Sequence, residues 1–227
     1  MTAASLLVFD LDGTLIETAP DLTASLNTVL ALEGLPHADV FRARSMIGHG
    51  ARAMIVQALK DLEEPASDAR VDRLLAVFLD HYEANIAVAS HPYPGLLDAL
   101  DRLSDAGWQF AVCTNKRAPL AVKLLDALDL SARFQTIAGP DTFGVAKPNP
   151  NHLLRTIARA GGQADRAIMV GDSRTDVDTA RAAATPVIGV DFGYTEVPMQ
   201  EIGPDLLISH YEELEAAVDR LSRPWAA

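Results

Sequence analysis

Six short apolar runs, at residues 6–9, 110–113, 136–138, 167–171, 187–190 and 206–208, recur along the chain with helix-like segments between them. None alternates polar with apolar residues, so each is expected to be buried on both faces. Strands of that kind, interleaved with helices, describe an α/β chain with a parallel sheet covered on both sides. One stretch breaks the alternation. Residues 17–92 contain no convincing strand but carry helical periodicity in Leu22, Leu26, Val29 and Leu30, in Met54, Ile55, Ala58 and Leu59, and in Val71, Leu74, Phe78 and Tyr82. They predict an all-helical insertion. Its return is set at the PYPG turn of residues 92–95, just before the periodic Leu96, Leu97, Leu100 and Leu103. The expected division is therefore a core of residues 1–16 and 93–227 and an inserted unit of residues 17–92, with residues 223–227 as a loose tail.

Charge and cysteine content narrow the partners. With 19 Lys+Arg against 31 Asp+Glu the formal net charge is −12, which argues against broad binding to nucleic acid or anionic membrane. A small anionic substrate remains compatible if a metal and a few cations reverse the field locally. The single cysteine, Cys113, excludes an intramolecular disulfide framework and fits a reducing compartment. No apolar run approaches membrane-spanning length and no basic region precedes the first apolar stretch, so the expected location is cytoplasmic. A monomer or a homodimer is expected.

The chemistry-bearing residues sit where the apolar runs end. In open α/β sheets ligands bind beyond the carboxyl ends of the strands. Asp10 and Asp12 follow the first run, and side chains two apart on extended backbone point the same way. Thr114 and Asn115 follow the second, Lys147 precedes a proline at a helix entry, and Asp172 and Asp176 of GDSRTD follow the run AIMV. Each has an ordinary structural reading as well. Asp-Gly makes turns, Thr114 can cap a helix, a lysine is commonly solvated, and Ser173 with Asp176 forms a capping box.

Taken together, FDLDGTL, the Thr114 stretch, Lys147 and GDSRTD resemble, in order and strand-end placement, the four motifs of the haloacid dehalogenase superfamily. The strings DGTLIETAPDL, MIGHG, PYPG, CTNK and KPNP are similar to its phosphoglycolate phosphatase branch. One departure is Glu17, where relatives often carry Asp; it affects local hinge contacts. The resemblance implies a Rossmann-like parallel sheet core with an inserted helical cap, and a Mg²⁺-dependent phosphomonoesterase. In that scheme Asp10 is the nucleophile that becomes an aspartyl-phosphate and Asp12 is the general acid and base. Lys147, Thr114 and Asn115 bind the transferring phosphoryl group. Mg²⁺ is held by Asp10, the Asp12 main-chain carbonyl and Asp172, with Asp176 holding a coordinated water or the Lys147 head.

The implied substrate is a small phosphorylated metabolite, in the first place 2-phosphoglycolate. Arg44, Gly48, His49, Gly50 and Arg52 are the cap candidates for gripping its carboxylate, against the simpler possibility that GHG only joins two helices. Alternatives are a sugar or amino-sugar phosphate phosphatase, a hexose-phosphate mutase and a phosphorylatable signalling protein.

Overall fold

A computed structural model of the chain describes residues 5–47, 50–195 and 197–222. The first strand, β1 (Leu6–Phe9), leads through a turn to a two-residue strand, β2 (Ile16–Glu17). Four helices follow: α1 (Ala19–Leu32), α2 (Val40–Ile47), α3 (Ala51–Asp61) and α4 (Asp68–Ala84). The chain returns on β3 (His91–Pro92), which pairs antiparallel with β2, Ile16 opposite Pro92 and Glu17 opposite His91. This ribbon was not expected from the sequence, because two residues a side carry no readable periodicity. It brings the two ends of the helical insertion together.

The remaining chain alternates regularly. α5 (Leu96–Asp105), β4 (Gln109–Cys113), α6 (Ala118–Ala127), β5 (Thr136–Ala138), α7 (Pro140–Phe143) and α8 (Pro150–Arg159) come first. β6 (Ala167–Gly171), α9 (Arg174–Ala182), β7 (Val187–Val190), α10 (Met199–Ile202), β8 (Leu206–Ile208) and α11 (Leu214–Ser222) complete it. Six strands form one parallel sheet in the order β5-β4-β1-β6-β7-β8.

The expected double burial is observed. Leu7 and Phe9 face one core with Val112, Val170 and Ile188, closed by Leu100 of α5, Leu124 of α6 and Val218 of α11. Leu6 and Val8 face the other with Ala111 and Met169, closed by Leu153 and Ile157 of α8 and Val177 of α9. The first core is continuous with the insertion through Leu22, Leu26, Met54 and Phe78. No helix among the described residues is long and apolar enough to cross a membrane.

Register positions the site. Phe9 lies beside Val112 on one flank and Val170 on the other, so the residues that follow all three strands emerge at one edge. The ladder extends one bond further on each side of that edge: Asp10 N donates to Val170 O at 2.9 Å and Thr114 N to Ala138 O at 3.0 Å. The insertion is tied down by Asp21 of α1. Its buried carboxylate accepts from Ala89 N, from Ser90 N at 2.8 Å and from Ser90 Oγ at 2.7 Å. Replacing Asp21 by Ala removes the acceptor and strands these donors, so Asp21→Ala is expected to lower the unfolding free energy by about 2 kcal/mol. Urea denaturation measures it, and a loss below about 0.5 kcal/mol would mean that the connection is held by other contacts.

Candidate active site

Asp10, at the end of β1, is the centre of the charged cluster. Lys147 Nζ stands 2.8 Å from Asp10 Oδ1 and 2.6 Å from Asp176 Oδ1, with the lysine side chain 2% exposed. Asn115 explains how the lysine is held there. Its amide donates to Lys147 O at 3.1 Å and its carbonyl accepts from Lys147 N at 2.9 Å. The Asn115 side chain thus engages the Lys147 main chain and helps set the position of Lys147. The Thr114 side chain is buried and accepts from Lys116 N at 3.1 Å. Thr114 is not the cap of α6, because Arg117 occupies that place.

The GDSRTD stretch meets both of its readings. Ser173 caps α9 and forms a capping box with Asp176, whose Oδ2 accepts from Ser173 N and Oγ. The other oxygen of Asp176 takes Lys147. Capping and lysine pairing use different oxygens of one carboxylate. Asp172 is anchored by Thr14 Oγ1 at 3.0 Å and Tyr194 N at 2.7 Å. Gly13 has φ +83°, and a Cβ there would lie 2.4 Å from Asp172 Oδ2. Gly193 is as tight, since its Cβ would fall 2.2 Å from Asp172 Cβ. The Gly-Thr turn after Asp12 is therefore the cradle of Asp172 as well as a chain reversal.

Asp10, Asp172 and Asp176 each offer a carboxylate oxygen, and these atoms lie within 4.8 Å of one another. Lys147 supplies one positive charge against three buried acids. Burial raises Asp10 to about 6 against the opposing pull of Lys147, with Asp176 adding to the rise. Burial, then Asp176 and Asp10, push Asp172 well above the usual carboxylate range. Asp10 Oδ1, although beside Lys147, receives no well-aligned hydrogen bond. An all-oxygen donor set with surplus negative charge and an unsatisfied buried oxygen fits a hard divalent cation.

Asp12 is turned toward the helical insertion. Thr18 Oγ1 donates to Asp12 Oδ1 at 2.7 Å, and Lys116 Nζ lies 2.7 Å and 2.9 Å from its two oxygens. Lys116 was missed as a site residue: its only signal is its place in the strand-end string CTNK. Tyr194 was missed too. Its hydroxyl accepts from Thr18 N and Ala19 N at the start of α1 and donates to Glu17 Oε1 at 2.7 Å.

The cap candidates fare differently. Arg44 is ion-paired with Glu17 beside the Tyr194 ring, so its charge is spent at the hinge. Arg52 lines the cavity over the site but pairs with Asp68 and Asp72 on α4. Gly50 also lines the cavity, as the N-cap residue of α3. Gly48 and His49 lie outside the described residues, as do residues 223–227. The cavity holds about 230 Å³ and opens onto Asp10, Asp12, Thr114 and Asp172.

A strand-edge pocket with clustered acids, the enclosed lysines Lys116 and Lys147 and a helical lid is suited to an enzyme that handles a small anion with the help of a metal. The model for haloacid dehalogenase-like hydrolases matches residues 7–190. A phosphoglycolate phosphatase of Mesorhizobium japonicum is 49% identical over 219 residues, covering 96% of each chain. One of Agrobacterium fabrum is 47% identical over 213 residues, 94% of this chain and 91% of that one. The crystal structure of a predicted phosphoglycolate phosphatase from Haemophilus somnus superposes with a TM-score of 0.87 at 28% identity, over 96% of this chain and 99% of its own. The chain belongs to the haloacid dehalogenase-like hydrolases, in their phosphoglycolate phosphatase branch. It is a metal-dependent phosphatase of small phosphorylated metabolites.

One buried base lies below this cluster without joining it. Neither ring nitrogen of His152 has a well-aligned hydrogen bond, and burial, then the charge of Lys147, push it down to about 4 against weak backbone contacts at Ala138 and Gly139. An unfolded chain takes up that proton near the ordinary value of 6.5, whereas the folded one refuses it. This contribution to stability is therefore full above pH 6.5 and is lost as pH falls toward 4. An NMR titration, with His152 identified by its missing signals in His152→Asn, is expected to place its midpoint near 4; a midpoint at or above 6.5 would contradict the burial argument.

Proposed function

We propose that the chain hydrolyses 2-phosphoglycolate to glycolate and phosphate, with Mg²⁺ as its metal and residues 17–92 acting as a cap over the core of residues 1–16 and 93–227. The observation that carries this reading is Lys147, buried between Asp10 and Asp176 at the carboxyl edge of the sheet. A carboxylate approaching a phosphate dianion is repelled, and a fixed ammonium beside the attacking oxygen offsets that repulsion. Asp10 attacks phosphorus and forms an aspartyl-phosphate as the alkoxide departs. Asp12 gives its proton to the leaving oxygen and then takes one from the water that attacks the phosphoenzyme. Lys147 Nζ and the Thr114 hydroxyl bind phosphoryl oxygens, and Asn115 keeps Lys147 in line through its main chain.

Mg²⁺, held by Asp10, Asp172 and the Asp12 main-chain carbonyl with Asp176 in support, would supply the charge that neutralises the phosphate. The remaining work belongs to the cap, which excludes water from the site. Apart from Arg52 and Tyr82, its wall over the cavity is apolar, with Leu22, Met54, Phe78 and Leu79. These residues have no partners for sugar hydroxyls, and each hydroxyl buried without one costs about 1–3 kcal/mol. A short substrate suits this wall better than a hexose phosphate. Placement in the cytoplasm is supported by the buried free thiol of Cys113.

A phosphate-release panel with Mg²⁺ tests the proposal, covering 2-phosphoglycolate, glycerol phosphate, a hexose phosphate, an amino-sugar phosphate and a nucleotide. We expect kcat/KM for 2-phosphoglycolate at least about tenfold above the others, roughly 1.4 kcal/mol in transition-state binding. Asp10→Asn should fold normally and turn over none of them. A sugar or amino-sugar phosphate at the top of the panel would overturn the substrate, and an active Asp10→Asn would overturn the nucleophile.

A further inference from the structure

The cap arginines expected to read the substrate carboxylate are engaged elsewhere, Arg44 with Glu17 and Arg52 with Asp68 and Asp72. Arg117, which also lines the cavity, is exposed at the start of α6. Lys147 is enclosed between Asp10 and Asp176. That leaves Lys116, whose side chain is 7% exposed and whose ammonium lies at the cavity on the Asp12 side.

We propose that Lys116 of the core and Tyr82 of the cap together bind the carboxylate of the substrate, and so set its specificity; the proposal rests on the 2-phosphoglycolate reading. An ammonium has three N–H donors, and Asp12 engages the group through both of its oxygens, at 2.7 Å and 2.9 Å. The leaving oxygen must come within about 3 Å of Asp12 to receive its proton. In 2-phosphoglycolate a single methylene separates that oxygen from the carboxylate. A substrate so placed brings its carboxylate to the ammonium that Asp12 already touches.

Tyr82 supplies an independent observation. The Lys116 ammonium lies 4.8 Å from its ring centroid, a cation–π contact between core and cap. Its hydroxyl is buried at the same cavity, beside the Lys116 ammonium, and its own proton finds no acceptor among the described residues. Burial pushes that hydroxyl up to about 12, so at neutral pH it is a donor in search of an acceptor. A carboxylate satisfies it, and a substrate without one leaves it orphaned. Because Tyr82 stands on α4 and Lys116 after β4, the pair exists only while the cap covers the core.

The test compares kcat/KM for 2-phosphoglycolate with that for ethyl phosphate, which matches its carbon count but lacks the carboxylate. In the wild type this ratio should be at least about tenfold in favour of 2-phosphoglycolate. Lys116→Met should bring it to within about twofold of unity, and Lys116→Arg should restore part of it by returning a cation. Tyr82→Phe, which removes only the hydroxyl, should lower the ratio about fivefold, the net worth of one ordinary hydrogen bond. If both variants slow the two substrates equally, so that the ratio stands, Lys116 and Tyr82 serve only Asp12 and the cap, and the proposal falls while the 2-phosphoglycolate reading survives. A wild-type ratio near unity overturns the reading and the proposal together. Should Lys116→Met fail to fold, Tyr82→Phe decides between the same outcomes.

Discussion

The pairing of Lys147 with Asp10 and Asp176 is the interaction on which the rest of the site depends. Removing an ammonium and two carboxylates from water costs several kcal/mol per ion, and their mutual attraction recovers it only with good geometry. That geometry comes from three directions: β1 delivers Asp10, the capping box of α9 fixes Asp176, and Asn115 grips Lys147 by its main chain. A well-packed apolar group would serve stability as well. What the charged trio supplies instead is a carboxylate whose environment already contains positive charge, the setting that the proposed nucleophile needs beside a phosphate dianion. Burial pushes Lys147 against ionisation, yet the charges of Asp10 and Asp176 outweigh it and hold its pKa above the ordinary value.

The cap is coupled to that centre through Asp12 and the hinge. Thr18, just before α1, donates to Asp12, while Lys116 joins Asp12 to Tyr82 of α4. Glu17, buried at the end of β2, receives Tyr194 and Arg44 and so links the loop after β7 to the insertion. Tyr194 also accepts the first N–H groups of α1, which has no side-chain cap of its own. The residue that would protonate the leaving group is thus oriented by side chains from both halves, which ties chemistry to cap position.

Most of the sheet was legible because its strands are buried on both faces, and a run such as AIMVG at 167–171 has no competing reading once helices flank it. The strand-end rule likewise places Asp10, Thr114 and Asp172 at one edge, where all three line one cavity. What was not legible is partnership. Sequence gives Arg44 and Arg52 a charge but not the acids, 27, 16 and 20 residues away, that take it up. Asn115 reads as a phosphate ligand, and nothing in the sequence reveals its bonds to Lys147, 32 residues on. Tyr82 reads as one more apolar position on an amphipathic helix, since periodicity does not distinguish a buried ring from a buried ring with a hydroxyl to satisfy. The ribbon of β2 and β3 escaped because two residues define no period.

In the proposed reaction Asp10 carries the phosphoryl group between substrate and water. Rapid quenching during turnover of 2-phosphoglycolate, followed by borohydride reduction and peptide mapping, tests it most directly, because an acyl phosphate is reduced to an alcohol and a free carboxylate is not. The account predicts homoserine at the position of Asp10 in the wild type and none in Asp10→Asn. Reduction at a different residue, or steady turnover with no modification of Asp10 at any quench time, would contradict it.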